Sequence, residues 1–388
     1  MNPFIFQSGT KIIFGEQTAF SICDVMRELG GTKPVIVTDA NLVKAGVLTP
    51  ILQSLEAGSM EAGLIFDEVP MDSDIQCVQK LAASAKAKGC DCIIAIGGGS
   101  VLDTAKAANI CLTYGGDNLL DYLGLNCLPS KLLPLVAVPT TAGTGSEVSL
   151  VAMIKDHDLQ TKHAFGSIYL APSVAILDPT LIVSLPPKLT AATGIDALTH
   201  AIECYVALIT VSPFTDALCL ESMRLIFQYL ERATTDGGDL EARGNTLVAS
   251  CMAGLAFTNA GVGIVHAMAH ATGARFGTHH GMTNAVYLPY GMEFNLEAGT
   301  PRFAQAARYI GISQSTDDRQ AALKFIEAVR ELTGRLGLPT RLKDLGVPAL
   351  NNNELEELAM LASTDPAIMF NPKESSLADI IGIYERAY

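Results

Sequence analysis

The sequence predicts two architectures in one chain: an α/β domain built on a parallel sheet over residues 1–187, then an all-α domain over residues 188–388. Three observations carry this. Up to the SLPP segment, Ser184 to Pro187, short apolar runs alternate with stretches of helical periodicity, and buried strands separated by helices imply a parallel sheet covered on both faces. Beyond it, strand-like runs nearly vanish and 3.6-residue periodicity dominates. Finally, Gly244 to Ala274 holds no Lys, Arg, Asp or Glu, so it belongs inside a helical core.

Taken in order, FIFQSGTKIIFGE alternates around a Ser-Gly turn and reads as a short hairpin whose outer strand is an open edge available to a second copy. Then come helix Ala19 to Leu29, strand Val35 to Thr38, helix Leu42 to Leu55, strand Leu64 to Phe66, helix Ile75 to Lys88 and strand Cys92 to Ile96. Further strands are expected at Leu135 to Val138, Val151 to Ile154 and Val174 to Leu177. The second half predicts helices at Leu189 to Ala207, Pro213 to Glu231, Leu240 to Thr258, Val262 to Phe276, Phe303 to Ile310 and Gln320 to Leu336. The uncharged run is long enough to raise a membrane span, but Gly254, Gly261, Gly263, Asn245 and Asn259 break it into two shorter helical pieces, and the reading is a pair of core helices.

Composition sets the outer limits. The chain has 388 residues, 49% hydrophobic and 17% charged, enough for two sizeable cores and incompatible with disorder. Its net charge of -14 is spread without acidic runs, which argues against a nucleic-acid surface and gives anionic substrates no general attraction. Nine scattered cysteines without a CxxC pair fit a reducing compartment. Cys204, one turn beyond His200, is expected in core packing. MNPFIFQSGT lacks a basic region followed by an apolar one, so the expectation is a cytoplasmic protein.

Two loops invite a phosphate ligand. CIIAIGGGSVLDTAK is a buried strand, then Gly97, Gly98, Gly99 and Ser100, then a helix. Glycines let backbone approach a phosphate, and a helix N-terminus offers unpaired N–H groups. No Gly-Lys-Ser/Thr follows, which excludes a Walker loop, and G-x-G-x-x-G is absent. PTTAGTGSE follows the strand at Leu135 with Thr140, Thr141, Thr144 and Ser146 between glycines. Asp39 follows the strand at Val35 and is placed at the same edge of the sheet, where α/β proteins bind ligands. There a carboxylate accepts from ribose hydroxyls and repels a 2'-phosphate, favouring NAD over NADP; the plainer role is a helix cap. Lys162 is a candidate for phosphate or substrate.

The helical half concentrates imidazoles. Asp196 and His200 are four apart, as are His266 and His270, so each pair shares a helix face. The glycine-flanked turn GTHHG adds His279 and His280. An unpartnered buried carboxylate or imidazole is costly. A divalent cation bound at roughly 2.0 to 2.2 Å by one Asp oxygen and three imidazole nitrogens removes that cost. The alternative is that each histidine is a hydrogen-bonded core residue, but His200, His266, His270, His279 and His280 are most of the seven in the chain, and their gathering points to metal. Spacing leaves open which of His270, His279 and His280 is the last ligand.

In combination, GGGS with Asp103 and Lys106, PTTAGTGSE, the DP of AILDPTLIVSLPP, AATGIDALTHAIE, and VHAMAHATG followed by HHG resemble the iron-containing (group III) alcohol dehydrogenases over nearly the whole chain, most like the lactaldehyde reductase, propanediol and butanol dehydrogenase members. The resemblance implies the dehydroquinate synthase-like fold, with a dinucleotide-binding N-terminal domain, a helical metal-binding and substrate domain, and a homodimer or higher homo-oligomer joined through the N-terminal strands. It puts the metal ligands on Asp196, His200, His266 and His280, and His270 beside the nicotinamide. It implies NAD and Fe(II), with zinc also accommodated by this ligand set; with the loop residues read above, the candidate cofactor contacts are Asp39, Gly97, Gly98, Gly99, Ser100, Asp103, Thr140, Thr141, Thr144, Lys162 and His270. The chain departs from the pattern at Pro70-Met71-Asp72, where members often have Pro-Asn-Pro, at Val151, where some have Asn, and at His279, where many have Pro.

The expected chemistry is hydride transfer between nicotinamide and a small neutral alcohol, diol or aldehyde whose oxygen is polarised by the metal. His270 is the candidate for passing the alcohol proton to solvent, and Phe257 and Phe165 are candidates for the substrate pocket. Two other classes compete. A dehydroquinate-synthase-like lyase needs basic side chains around a phosphorylated acid, and the metal-proximal segments offer only Arg275. A non-catalytic filament or assembly module is argued against by the self-contained length.

Overall fold

The computed structural model describes residues 3–115, 118–157 and 161–388. They form two compact units, Gln7–Leu185 and Pro186–Tyr388, with residues 3–6 belonging to the second. Phe4 and Phe6 explain that assignment: their rings lie 5.8 and 5.3 Å from that of Phe214.

The first unit runs β1 (Lys11–Phe14), α1 (Ile22–Glu28), β2 (Pro34–Val37), α2 (Ala40–Lys44), α3 (Thr49–Ala57), β3 (Leu64–Phe66), α4 (Ile75–Ala87), β4 (Cys92–Gly97) and α5 (Gly99–Tyr114). It continues with β5 (Gly124–Leu125), β6 (Leu135–Pro139), β7 (Val151–Asp156), β8 (Thr161–Gly166) and β9 (Val174–Leu177). Six strands make a sheet in the order β1-β9-β6-β4-β2-β3, parallel throughout. Every residue of β2, β4, β6 and β9 is buried, because both faces are covered. Val35, Val37, Ile93 and Ala95 pack toward α4 and α5, while Ile36, Ile94 and Ile96 pack toward α1 and α3. The chain passes from β2 outward to β3 and returns as β4 on the other side of β2. The strand order therefore reverses between β2 and β4, the position at which open α/β sheets take ligands.

Several expected elements take other forms. The N-terminal hairpin does not form: only Lys11–Phe14 is a strand, and it pairs in parallel with β9. The helix expected over Leu42 to Leu55 is two, α2 and α3, separated at Gly46, whose φ of 73° lies in the left-handed region. The strand at Val151 lies outside the main sheet. It pairs antiparallel with β8, which in turn pairs with β5, as a separate three-stranded sheet.

The second unit is helical among its described residues: α6 (Pro187–Val206), α7 (Pro213–Thr235), α8 (Leu240–Ala260), α9 (Ile264–Phe276), α10 (His280–Phe294), α11 (Leu296–Tyr309), α12 (Asp318–Arg335), α13 (Asn352–Ser363) and α14 (Leu377–Ala387). Its core is one apolar cluster centred on α6, which is buried from Thr190 to Val206; Cys204 lies in it, fully buried. The uncharged run is α8 and α9, bent by 101°. Gly261 makes the corner, with φ of 77° and no room for a Cβ, which would lie 2.5 Å from the ring of Phe370. No single described helix is long and apolar enough to cross a membrane, although the bent pair passes on length and composition together.

Candidate functional site

Helix geometry does what the four-residue spacings promised. α6 projects Asp196 and His200 inward, α9 projects His266, and α10 begins with His280; Asp196, His200 and His266 are 2%, 7% and 2% exposed. One ligand atom from each of these three lies within 4.8 Å of the other two. His266 Nε2 is 3.8 Å and His280 Nε2 3.4 Å from Asp196 Oδ1. The His200 and His266 rings are 4.3 Å apart, and Phe257 stacks on the far side of His200 at 4.5 Å.

Electrostatics at this cluster is decided by two opposed effects. Burial disfavours the charge on Asp196, but His280, His200 and His266 together with the Asn284 hydrogen bond outweigh it and hold the carboxyl down at about 2. The site therefore keeps an anion in an apolar interior and surrounds it with imidazole nitrogens. Asn284 Nδ2 donates to Asp196 Oδ1 at 2.7 Å and lies 3.4 and 3.2 Å from Nε2 of His266 and His280, while Asn284 Oδ1 is buried with no hydrogen-bond partner among the described residues. Two ligands of one ion at about 2.1 Å stand roughly 3 to 3.5 Å apart, so the donor set and its spacing fit a divalent cation.

His270 stands at the rim of this group. Its ring stacks on His280 at 5.3 Å, its side chain is 27% exposed, and its Nδ1 pairs with Asp365 Oδ2 at 2.8 Å. His279 occupies the N-cap position of α10 without a side-chain cap hydrogen bond, and burial lowers its pKa. Arg275, in the last turn of α9, pairs with Glu357 at 3.0 Å. Asn284, Asp365 and Glu203 were not singled out in the sequence. Asn284 carried a signal, since it is one turn beyond His280 on the same helix.

In the first unit, β4 and β6 are neighbours in register, so the loops that follow them leave the same edge side by side. Thr140 N–H donates to the Gly97 carbonyl at 3.0 Å. A Cβ on Gly98 would sit 3.3 Å from Thr141, and one on Gly99 2.8 Å from Thr144, so the glycines are what let the two loops close on each other. α5 starts at Gly99 with Gly98 as a cap that has no side chain, which leaves its first N–H groups available. Asp39 Oδ1 accepts from Asn41 N–H and Leu42 N–H at 2.8 and 3.1 Å and so caps α2.

Three candidates are otherwise engaged. Ser100 Oγ donates to the Met71 carbonyl. Asp103 is turned into the protein, accepting from Ser146 Oγ and from Met153 N–H at 3.0 Å. Lys162, in the β7–β8 pair, binds Asp72 at 2.7 Å, and Lys155 approaches the same carboxylate at 3.5 Å. Beneath the second loop, the fully buried Lys106 amine donates to Ser146, Ser149 and the Val151 carbonyl at 2.9, 2.9 and 3.0 Å. Phe165 is buried in the apolar cluster beside α4 and α5.

Comparison with known proteins decides what this pairing of loops and imidazoles belongs to. Residues 9–179 match the family model for iron-containing alcohol dehydrogenase and residues 190–388 the C-terminal model for the Fe-containing alcohol dehydrogenase family. The chain belongs to the iron-containing alcohol dehydrogenases. It is 38% identical to the 1,3-propanediol dehydrogenase of Klebsiella pneumoniae over 97% of this chain and 96% of that one. Identity with the NAD-dependent methanol dehydrogenase of Bacillus methanolicus is 37%, over 93% and 94%. A crystal structure of a 1,3-propanediol oxidoreductase superposes with a TM-score of 0.95 at 35% identity, covering all of both chains. The first match spans both loops, the second all four metal candidates and His270. Neither the lyase nor the assembly-module reading gains support from these relatives.

Proposed function

We propose that this chain is a metal-dependent, NAD(H)-linked alcohol dehydrogenase or aldehyde reductase for small neutral alcohols, diols or aldehydes. The observation that carries it is the convergence of Asp196 with three imidazoles in an otherwise apolar helical core. Asp196, His200, His266 and His280 hold the cation, Fe(II) by family and Zn by ligand chemistry. Once bound, such a cation supplies Lewis acidity toward a substrate oxygen and the dinucleotide supplies or takes the hydride.

The chain's own residues do the rest. Gly97 to Ser100 and the start of α5 offer backbone N–H groups to a diphosphate, with Thr140, Thr141 and Thr144 beside them. Asp39 accepts from the ribose with the oxygen not used in capping α2 and disfavours a 2'-phosphate. Lys162 parts from Asp72 to meet the cofactor, at little cost for a pair this exposed. His270 is oriented by Asp365 at Nδ1, and its Nε2 passes the alcohol proton outward. Phe257, packed on His200, keeps water from that side. The carboxylates beside the cluster, Glu203 and Asp365, are both engaged by imidazoles, which supports a neutral substrate. Nine cysteines, none in a disulfide, support a cytoplasmic location, and the open edge of β1 a homodimer.

The test is metal quantification followed by NADH-linked assays on short alcohols and diols under anaerobic conditions. Asp196→Ala and His266→Ala are expected to lose the cation and turnover together. A variant without metal but with full activity overturns the assignment.

A further inference from the structure

α9 starts without a capping side chain of its own. Its N-cap is Gly263, so the leading N–H groups of the helix need acceptors from elsewhere. Asn371 Oδ1 accepts from Ile264 N–H at 3.2 Å, and a single carboxylate from α6 supplies the others. Glu203 Oε1 accepts from Val265 N–H at 2.6 Å and Oε2 from His266 N–H at 3.3 Å. The same Oε2 lies 2.6 Å from His266 Nδ1. A Cβ on Gly263 would stand 3.0 Å from Glu203 Oε1 and 2.8 Å from Asn371 Oδ1, so the glycine is what lets both acceptors close on the helix end.

The side chain of Glu203 is 4% exposed, and a buried carboxylate persists only where its charge is answered. Here the answer is the positive end of α9 together with the imidazole. An ionised carboxylate can only accept, so the proton of His266 sits on Nδ1 and the lone pair on Nε2. Nε2 is the atom facing Asp196 Oδ1, and the amide donor Asn284 Nδ2 approaches it at 3.4 Å, as expected of an acceptor. Asp196, His200 and Glu203 follow one another at spacings of four and three, on one face of α6.

We infer that Glu203 is a positioning residue: it docks the N-terminus of α9 and fixes the tautomer of His266, so that Nε2 is presented to the cation before any cation arrives. One helix then supplies two ligands and the group that aims a third. Carboxylates behind metal-bound histidines characteristically set ring orientation and basicity. The inference rests on the metal reading of this site, and the test separates the two.

Glu203→Gln keeps the shape and replaces one acceptor by a donor. Placed toward α9, the amide nitrogen opposes Val265 N–H; placed toward the imidazole, it is accommodated only by moving the His266 proton to Nε2, where it blocks the cation. Co(II) binding to metal-free protein, measured by competition with a chromophoric chelator, is expected to weaken by roughly 10- to 100-fold. Thermal unfolding of the metal-free variant is followed alongside. Long-range proton–nitrogen NMR of the metal-free wild type, with His266 assigned through His266→Asn, is expected to show the Nδ1–H tautomer and needs no variant of Glu203 to fold. Wild-type cobalt affinity in Glu203→Gln, or an Nε2–H tautomer in the wild type, overturns the role of Glu203. A wild-type protein that takes up no cobalt overturns the metal reading itself.

Discussion

Asp39 serves two masters at the end of β2. One oxygen caps α2 by accepting from two N–H groups, and the other is the group proposed to read the ribose. The substitution that separates the roles is Asp39→Gly, because glycine is a tolerable N-cap that costs only about a few tenths of a kcal/mol relative to the better caps. Stability is therefore expected to change little, while the ratio of kcat/KM for NAD over NADP falls by about tenfold or more, equivalent to about 1.4 kcal/mol of lost discrimination. Steady-state kinetics with both cofactors measures it, and an unchanged ratio removes Asp39 from cofactor choice. Residues of this kind differ in how visible they were. Asp196 with His200 and His266 with His270 were legible, because a four-residue spacing already places two side chains on one face. Glu203 and Asp365 were not, because their partners lie 63 and 95 residues away, and no local pattern distinguishes an acid that orients an imidazole from one that faces water.

At the level of elements, the metal cluster depends on how closely α10 can approach α6. A Cβ at Gly281 would fall 2.3 Å from the Ala192 carbonyl oxygen and 3.4 Å from Asp196 Cβ, so the helices meet backbone to backbone immediately beside His280. Gly281→Ala is expected to push α10 outward at a cost of roughly 1 to 3 kcal/mol and to weaken metal uptake, whereas Gly277→Ala, with nothing within 4 Å but a φ of 67°, is expected to lose stability while keeping the metal. Denaturation curves and metal content of both variants distinguish packing at the site from general strain.

The loop over Lys106 gives a pH test. Burial pushes the carboxyl of Glu147 up to about 7 from an ordinary 4.5, against the pull of Lys106. Between those values the folded chain binds more protons than the unfolded one, so this group makes stability fall as pH rises from about 4.5 to about 7, with its full cost present above 7. Glu147→Gln removes that dependence, so its melting temperature relative to wild type is expected to rise from pH 5 to pH 7.5, and a constant difference refutes the buried charge. Element by element, the parallel strands were legible because both faces are buried, leaving runs such as PVIV and CIIAIG. β8 was not, since TKHAFG is only half-buried along most of its length. α10 was hidden by Pro289 and by its glycines. α13 and α14 were legible through capping boxes at Asn351 with Glu354 and Ser376 with Asp379, and α14 also through the apolar stripe of Ile380, Ile383 and Tyr384, yet both lie outside the helices predicted from the sequence.

For the whole molecule, the large features were readable because they follow from burial: a parallel sheet that needs two covered faces, and an uncharged run that forms two core helices. The N-terminus was misjudged for the same reason in reverse, since alternation in FIFQSGTKIIF suggested a hairpin, whereas Phe4 and Phe6 are used against Phe214 and only KIIF joins a sheet. The consequence is an assembly argument. β1 is one of the two edge strands of the main sheet, hydrogen-bonded to β9 on one side, with Ile12 and Phe14 exposed by 40% and 52%. An edge that offers free N–H and C=O groups together with apolar side chains is a template for pairing, and a chain of net charge -14 associates there only if the contact outweighs like-charge repulsion. The wild type is accordingly expected to sediment at about twice the 41.0 kDa of one chain, more completely as added salt screens the repulsion. Ile12→Glu combined with Phe14→Glu is expected to sediment at 41.0 kDa while retaining its fold by circular dichroism. A monomeric wild type, or a variant that still pairs, places the contact elsewhere or removes it.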